Sequence, residues 1–258
     1  MGNTEIKVYE FKLFGNNPEV KHGIFTRKDR TFPESFYSMN GDIISEDEHS
    51  AISNNRKLIT RKMGMKPLIF LNQTHGDAVI VLKKDDNDLS QIFDPGKETY
   101  AADGIITDMK DIFLVIQAAD CQSVMLCDPE KKVIANIHSG WRGSIANIIG
   151  KAVGKMMDAF QCKPENILAG ISPSLGPCCS EFINYKDEIP EIFWKYRVED
   201  TDFFDFWKIS EDQLLDKGLK KANIENMGIC TKCHQKDFYS YRGEKTTGRF
   251  ACVISLCG

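Results

Sequence analysis

His75, Cys121 and His138 are the residues of this chain whose types offer the plainest chemistry, and each falls at the predicted end of a strand. Two imidazoles and a thiolate form a donor set that suits zinc or copper. Three protein ligands leave a fourth position for water or substrate, which is the pattern of a catalytic rather than a structural site. Water on such a zinc ionises near pH 7. The same atoms admit a second class of reaction. Cys121 can serve as a nucleophile with His138 or His75 as its base and Asp120 as the orienting carboxylate, making a cysteine hydrolase. Two histidines directed at one cysteine favour the metal, because a thiol nucleophile needs only one base. Directly after His138 the chain reads Ser139-Gly140-Trp141-Arg142-Gly143-Ser144 and then turns apolar-periodic. A Gly-rich turn feeding a helix N-terminus near Ser144 would be an anion site. Arg142 would assist it with a guanidinium fork that bonds phosphate bidentately. Arg56 is the second candidate contact, although composition alone places it on a solvated helix face.

Positioning these groups falls to a hairpin between Gln117 and Ser144. Its strands are expected at Ser123 to Cys127 and Val133 to His138. The intervening Asp128-Pro129-Glu130-Lys131 has type I turn chemistry. A loop of those residues pairs Cys127 with Lys132 and sets Cys121 opposite His138, whereas a slip of one residue would part them. His75 lies in Asn72-Gln73-Thr74-His75-Gly76-Asp77, after a buried strand over Pro67 to Leu71. Further strands are expected over residues 5–14, 22–27, 78–82, 101–108, 111–118, 166–171 and 250–256. Helices are expected over 48–64, 144–162, 187–196 and 209–222, and residues 201–207 read as a strand or a buried loop. With no repeat, linker or low-complexity tract, the pattern predicts one domain over residues 1–258. Its class is α+β, a mixed β-sheet core with flanking helices.

The chain has 258 residues and a formal net charge of −4, with the two signs interspersed. Nothing resembles the basic face of a nucleic-acid binder, and no apolar run is long enough to span a membrane. The first ten residues, MGNTEIKVYE, show no apolar signal region, so the expected location is the cytoplasm. Nine cysteines in a reducing compartment are expected to remain thiols, most of them small buried apolar groups. The vicinal Cys178-Cys179 reads as packing. Cys230-Thr231-Lys232-Cys233-His234 has the spacing of covalent haem attachment, a motif of exported chains. As half of a zinc site it lacks a second cysteine pair at ordinary spacing, and it reads as a loop with two thiols.

The blocks NQTHG, ADGIITD, ADCQSVMLCDP and HSGWRGS, with GPCCSEF, DQLLDKGL and FYSYRGEKTTGRFACVISL after them, resemble the ordered signatures of the laccase-domain family. That family is also described as multicopper polyphenol oxidase-like and is understood as purine nucleoside phosphorylases. The resemblance spans most of the chain. It implies a single-domain α+β fold and a metal site, zinc with copper possible, on His75, Cys121 and His138. It implies cleavage of adenosine, inosine or guanosine by phosphate to free base and ribose 1-phosphate, with methylthioadenosine phosphorolysis and adenosine deamination as related activities. The partners would be a small purine nucleoside and phosphate. The older laccase label implies copper-dependent phenol oxidation. Ser139 stands where the family more often has alanine. Gly243 stands where it has a second arginine, which removes any anion contact an arginine there would make.

Overall fold

Strands of Val, Ile, Leu and Phe with few polar interruptions must be covered on both faces, and this chain covers them by stacking two sheets between helices. The computed structural model describes residues 7–27, 56–64, 66–85 and 100–258. One sheet has the order β1 (Val8–Tyr9), β2 (Val20–Phe25), β11 (Phe250–Leu256), β6 (Phe113–Ala118), β3 (Leu68–Phe70). The other has the order β10 (Ile224–Asn226), β9 (Leu168–Ile171), β7 (Gln122–Asp128), β8 (Val133–Ser139), β5 (Gly104–Thr107), β4 (Val79–Leu82). The pairs β3–β6, β4–β5 and β9–β10 are parallel and the remaining ones antiparallel.

The sheets face each other across Ile24, Leu114, Ile116 and Ile254 of the first and Ile105, Met125 and Ile134 of the second. Asn136 is the polar tie between them. Its amide donates to the carbonyls of Leu114 (3.0 Å) and Cys252 (2.9 Å) in the opposite sheet, and its oxygen accepts from Ser123 Oγ (2.7 Å). On the outer face of the first sheet, helix α1, described over residues 56–63, lays Ile59 and Met63 on Phe70, Val115 and Val253. After the short helix α2 (Trp141–Ile145), helix α3 (Ile148–Phe160) lays Ile149, Val153 and Met156 on Val124, Ala135 and Ile137 of the second sheet. The α+β class expected of the sequence, mixed sheets with flanking helices in a single domain, is the fold observed.

Several boundaries differ for identifiable reasons. The helix expected over 144–162 is two helices. Trp141 begins the first, and Asn147 breaks them apart by taking the left-handed region (φ 57°), where its side chain caps α3 by accepting from Gly150 N at 3.1 Å. Residues 187–196 split at Pro190 into α4 (Tyr185–Glu188) and a 3₁₀ turn (Glu191–Tyr196). Of residues 201–207, 201–205 are a loop held by isolated bridges, Glu181 to Phe203 and Arg197 to Phe204, and the last two begin the next helix. The helix expected at 209–222 is α5 (Phe206–Asp216), started by Asp205 accepting from Lys208 N. Of the strand expected over 5–14, the described residues from 7 onward hold β1 followed by a 3₁₀ turn, Lys12–Phe14. Strand β10 was not foreseen: it is three half-buried residues, too short to show a period. The start of the helix expected at residue 48 lies outside the described residues.

Candidate active site

The β7–β8 hairpin carries two of the three candidate ligands, in a register two residues away from the one expected. Asp128 pairs with Val133, Cys127 with Ile134 and Ser123 with His138. The loop is therefore residues 129–132. Asp128 Oδ1 accepts from the amides of Glu130 and Lys131, both at 3.0 Å, and Lys132 turns left-handed (φ 53°) to re-enter the ladder. Cys121 thus lies just before the strand and is not opposite His138. A shift of two preserves the face, and the thiol and the imidazole still meet. His75, Cys121 and His138 each offer a ligand atom, and the three atoms lie within 4.8 Å of one another.

Asp103, just ahead of β5, holds this cluster and was given no role from sequence. It is fully buried. Oδ1 is 2.8 Å from His138 Nδ1 and accepts from His75 N at 2.9 Å. Oδ2 accepts from Thr74 Oγ1 and Gly76 N, both at 2.8 Å, and from Thr74 N at 3.2 Å. Burial disfavours the carboxylate, but the bonds from His138, Thr74 and Gly76 outweigh it and hold the carboxyl at about 2. One side chain thereby pins the backbone of residues 74–76, in which His75 adopts φ 59°, and orients the His138 ring. Asp103 takes the orienting place that sequence reasoning gave to Asp120. Asp120 instead accepts from Thr231 Oγ1 and Arg242 N, both at 2.6 Å. Gln73 fixes the other end of the His75 loop by a double hydrogen bond to the Gln117 backbone, both at 2.9 Å.

Burial works against charge on Cys121 and His138, but each is charged by the other. The imidazoles bring the thiol down to about 6, and Cys121 with Asp103 carries His138 up to about 9. The two glycines of HSGWRG make room for the cluster. A Cβ at Gly140 would stand 3.1 Å from Cys121 Sγ and 3.5 Å from His75 Cδ2, and one at Gly143 would stand 2.9 Å from the Gly76 carbonyl oxygen. The residues present therefore fit a metal ion. They supply two imidazoles and an easily ionised thiol, with a carboxylate fixing one ring as in other histidine metal sites.

The cluster forms part of the wall of a cavity of about 420 Å³. Trp141, Phe182 and Phe206 give the cavity an aromatic side, with Trp141–Phe182 centroids 5.7 Å apart and Phe182–Phe206 5.4 Å. Arg242 and Arg249 line it as well. The Arg242 guanidinium lies 5.8 Å over Phe182 and donates to the Glu181 carbonyl at 2.7 Å. Neither arginine nominated from sequence lines this cavity. Arg142 is exposed and stacks on Trp141, 4.3 Å from its centroid. Arg56 lies 4.4 Å over Phe70, on the outer face of the other sheet. The helix start expected near Ser144 is inside the five-residue α2, and the buried Ser144 hydroxyl bonds Ser139 Oγ at 3.0 Å. The apolar periodicity after Ser144 hid this, because Ile145 of α2 falls in phase with the α3 residues in sequence although it packs beside Phe182 and they pack on the second sheet. Arg242, in FYSYRG, was visible in sequence but lacked a partner to draw attention to it.

Comparison with known proteins gives concordant results. The family model described as multi-copper polyphenol oxidoreductase laccase matches residues 21–257. A purine nucleoside phosphorylase of Haemophilus influenzae is 28% identical over 218 residues, 81% of this chain and 82% of that protein. One of Bacteroides thetaiotaomicron is 29% identical over 246 residues, 90% and 89% of the two chains. The crystal structure of YlmD from Geobacillus stearothermophilus superposes with a TM-score of 0.79 at 23% identity, covering 94% of this chain and 93% of that one, and so shares the fold.

Proposed function

The chain belongs to the multi-copper polyphenol oxidoreductase laccase family, and from that premise we propose that it is a metal-dependent purine nucleoside phosphorylase. It would take adenosine, inosine, guanosine or methylthioadenosine with phosphate to the free base and ribose 1-phosphate. The names of its relatives point the same way. The observation that carries the reading is that one cavity joins an aromatic wall, two arginines and the His75–Cys121–His138 cluster. Such a combination suits a flat heteroaromatic ring, an anion and a polarising centre in one ligand set.

His75, Cys121 and His138 would hold the ion, zinc or copper, since two imidazoles and a thiolate suit both. When bound, it supplies Lewis-acid polarisation at one wall of the cavity. The purine lies against Phe182 and Trp141, whose faces exclude water from the glycosidic bond. Arg242 and Arg249 hold phosphate beside the sugar, the role expected of Arg142 and Arg56, because they are the arginines that line the cavity. An oxygen of hydrogenphosphate attacks the anomeric carbon as the bond to the base breaks, and the proton of the hydrogenphosphate ends on the departing purine nitrogen, which leaves as the neutral base. Asp103 takes no part in bond making. It keeps His138 turned toward Cys121 and the His75 loop in place. Adenosine deamination at the same wall is a further activity of this reading.

A second reading has its own observation. Cys121, His138 and Asp103 line up as thiol, imidazole and carboxylate, the arrangement of a cysteine hydrolase. The laccase reading ranks lower. Among the described residues His75–Cys121–His138 is the one ligand group containing histidine. His22 is enclosed by Phe11 and Phe14, and His234 Nδ1 lies 3.0 Å from the Cys230 carbonyl oxygen. Several coppers would need more imidazoles than that. Product analysis of adenosine with and without phosphate tests the proposal. Adenine plus ribose 1-phosphate, formed only with phosphate, is the expected result. Inosine alone would restrict the site to deamination, and turnover that resists chelators but stops on alkylation of Cys121 would support the hydrolase.

A further inference from the structure

The second group of soft ligands lies outside the cavity and plays no part in the function just described. Cys178 and Cys179 fall in the turn after β9, and Cys230 and Cys233 follow β10. In sequence they are unrelated pairs, one read above as packing and the other as a loop with two thiols. The fold brings the two pairs together. A parallel bridge joins Ser174 to Cys230, with Ser174 N donating to the Ile229 carbonyl at 3.1 Å and Thr231 N to the Ser174 carbonyl at 3.0 Å. Gly176 permits a still closer approach, since a Cβ there would stand 3.1 Å from Cys230 Cβ and 2.8 Å from the Trp207 ring. The four sulfur atoms consequently lie within 4.8 Å of one another. Cys233 Sγ is 3.7 Å from Cys178 Sγ and 3.6 Å from Cys179 Sγ.

We propose that Cys178, Cys179, Cys230 and Cys233 bind a structural zinc ion on four thiolates. Zinc–sulfur bonds of about 2.3 Å in a tetrahedron place sulfur atoms about 3.8 Å apart, close to the separations observed. A disulfide would need about 2.05 Å, and none is formed. An iron–sulfur cluster would hold its cysteines farther apart than these four are. The amide of His234 folds back to the Cys230 carbonyl at 3.0 Å, so Cys230-x-x-Cys233 closes as a tight knuckle. Binding forms four Zn–S bonds, breaks four S–H bonds and releases four protons to solvent. With all four positions filled by protein, the site has no opening for substrate and is structural.

Its position gives it a task. The two loops it joins both hold Asp120, the residue before Cys121. Leu175 N donates to the Asp120 carbonyl at 2.8 Å, and Thr231 Oγ1 to its carboxylate at 2.6 Å. Asp120 carries φ 85°, a conformation that surrounding structure must impose. The zinc ion ties down the loops that impose it.

The full chain bearing Cys121→Ala, purified under reducing conditions, isolates this site from the cavity. The expected result is about one zinc per chain, with an X-ray absorption first shell of sulfur alone at about 2.3 Å. A strong chelator is expected to lower its thermal midpoint. Cys178→Ser with Cys233→Ser is expected to lose that zinc. If those variants fail to fold, the unsubstituted chain serves instead, where mercurial titration should release this zinc as four further thiols react. Zinc absent from the Cys121→Ala chain, a first shell containing nitrogen or oxygen, iron in place of zinc, or a disulfide among these four under reductant would each overturn the proposal.

Discussion

Asp103 carries more of the site's shape than any of the residues it holds. It receives the amides of Thr74, His75 and Gly76 and fixes the His138 ring, all from inside the protein. Asn at this position keeps the volume but loses half of the acceptor capacity. Asp103→Asn is therefore expected to weaken zinc binding at the cavity about 10- to 100-fold, measured by competition with a chromophoric chelator. Gly140 bears on the same atoms through space. A methyl group there presses on Cys121 Sγ at 3.1 Å, and a displaced ligand disturbs reaction geometry more than stability. Gly140→Ala is expected to cost about tenfold in kcat/KM while the thermal midpoint moves by only a few degrees. His22 makes the opposite point, because its chemistry is spent on the fold. Its Nε2 accepts from Phe11 N at 2.7 Å, and burial brings its pKa from 6.5 down to about 4. The folded state then binds fewer protons than the unfolded one between those values. The stabilisation is fully present above pH 6.5 and is lost as pH falls through 4, by on the order of 3 kcal/mol. Urea titrations should show that decline, and His22→Gln should flatten it even though its stability at pH 7 is lower.

Among the elements, the strands were the most legible in the sequence and the connections the least. The buried β6, β7, β8 and β11 announce themselves as apolar runs. The register of the β7–β8 pair was legible only to within two residues, because the left-handed Lys132 is a backbone choice that no residue type there demands. The even shift kept Cys121 and His138 on one face, which is why their meeting was readable despite it. Helix α3 was legible as a stripe, but the break at Asn147 was not, and the helix start expected near Ser144 went with the break. The four-cysteine cluster was invisible for a different reason. Its halves are brought together by β10 and the bridge at Ser174, and β10 is too short to read. The two sheets also depend on a contact hidden from periodicity, the two hydrogen bonds that the Asn136 amide donates across them. Asn136→Ala leaves two buried carbonyls and a hydroxyl short of a partner. It is expected to destabilise the chain by about 2–4 kcal/mol, read from chemical denaturation.

At the scale of the whole molecule, the sandwich is a device for bringing three distant stretches to one end of a stiff core. His75 follows β3 of one sheet, Cys121 joins β6 to β7 across the two, and His138 closes β8 of the other. Helices on both outer faces bury what the sheets leave open, and no helix among the described residues is long and apolar enough to cross a membrane. The cavity's two arginines and two of its three aromatic residues, Phe182 and Phe206, come from the part of the chain after β9, where sequence patterning is weakest, and so that wall was less readable than the His75–Cys121–His138 cluster. The central claim is that His75, Cys121 and His138 close on one ion inside that cavity. Anomalous diffraction at the zinc edge, from crystals of the zinc-loaded chain, tests it most directly. The expected map has a peak bonded to both imidazoles and to Cys121 Sγ, with Asp103 behind His138 and out of bonding range. A chain that cleaves nucleosides with phosphate yet shows no peak among those three side chains would contradict it.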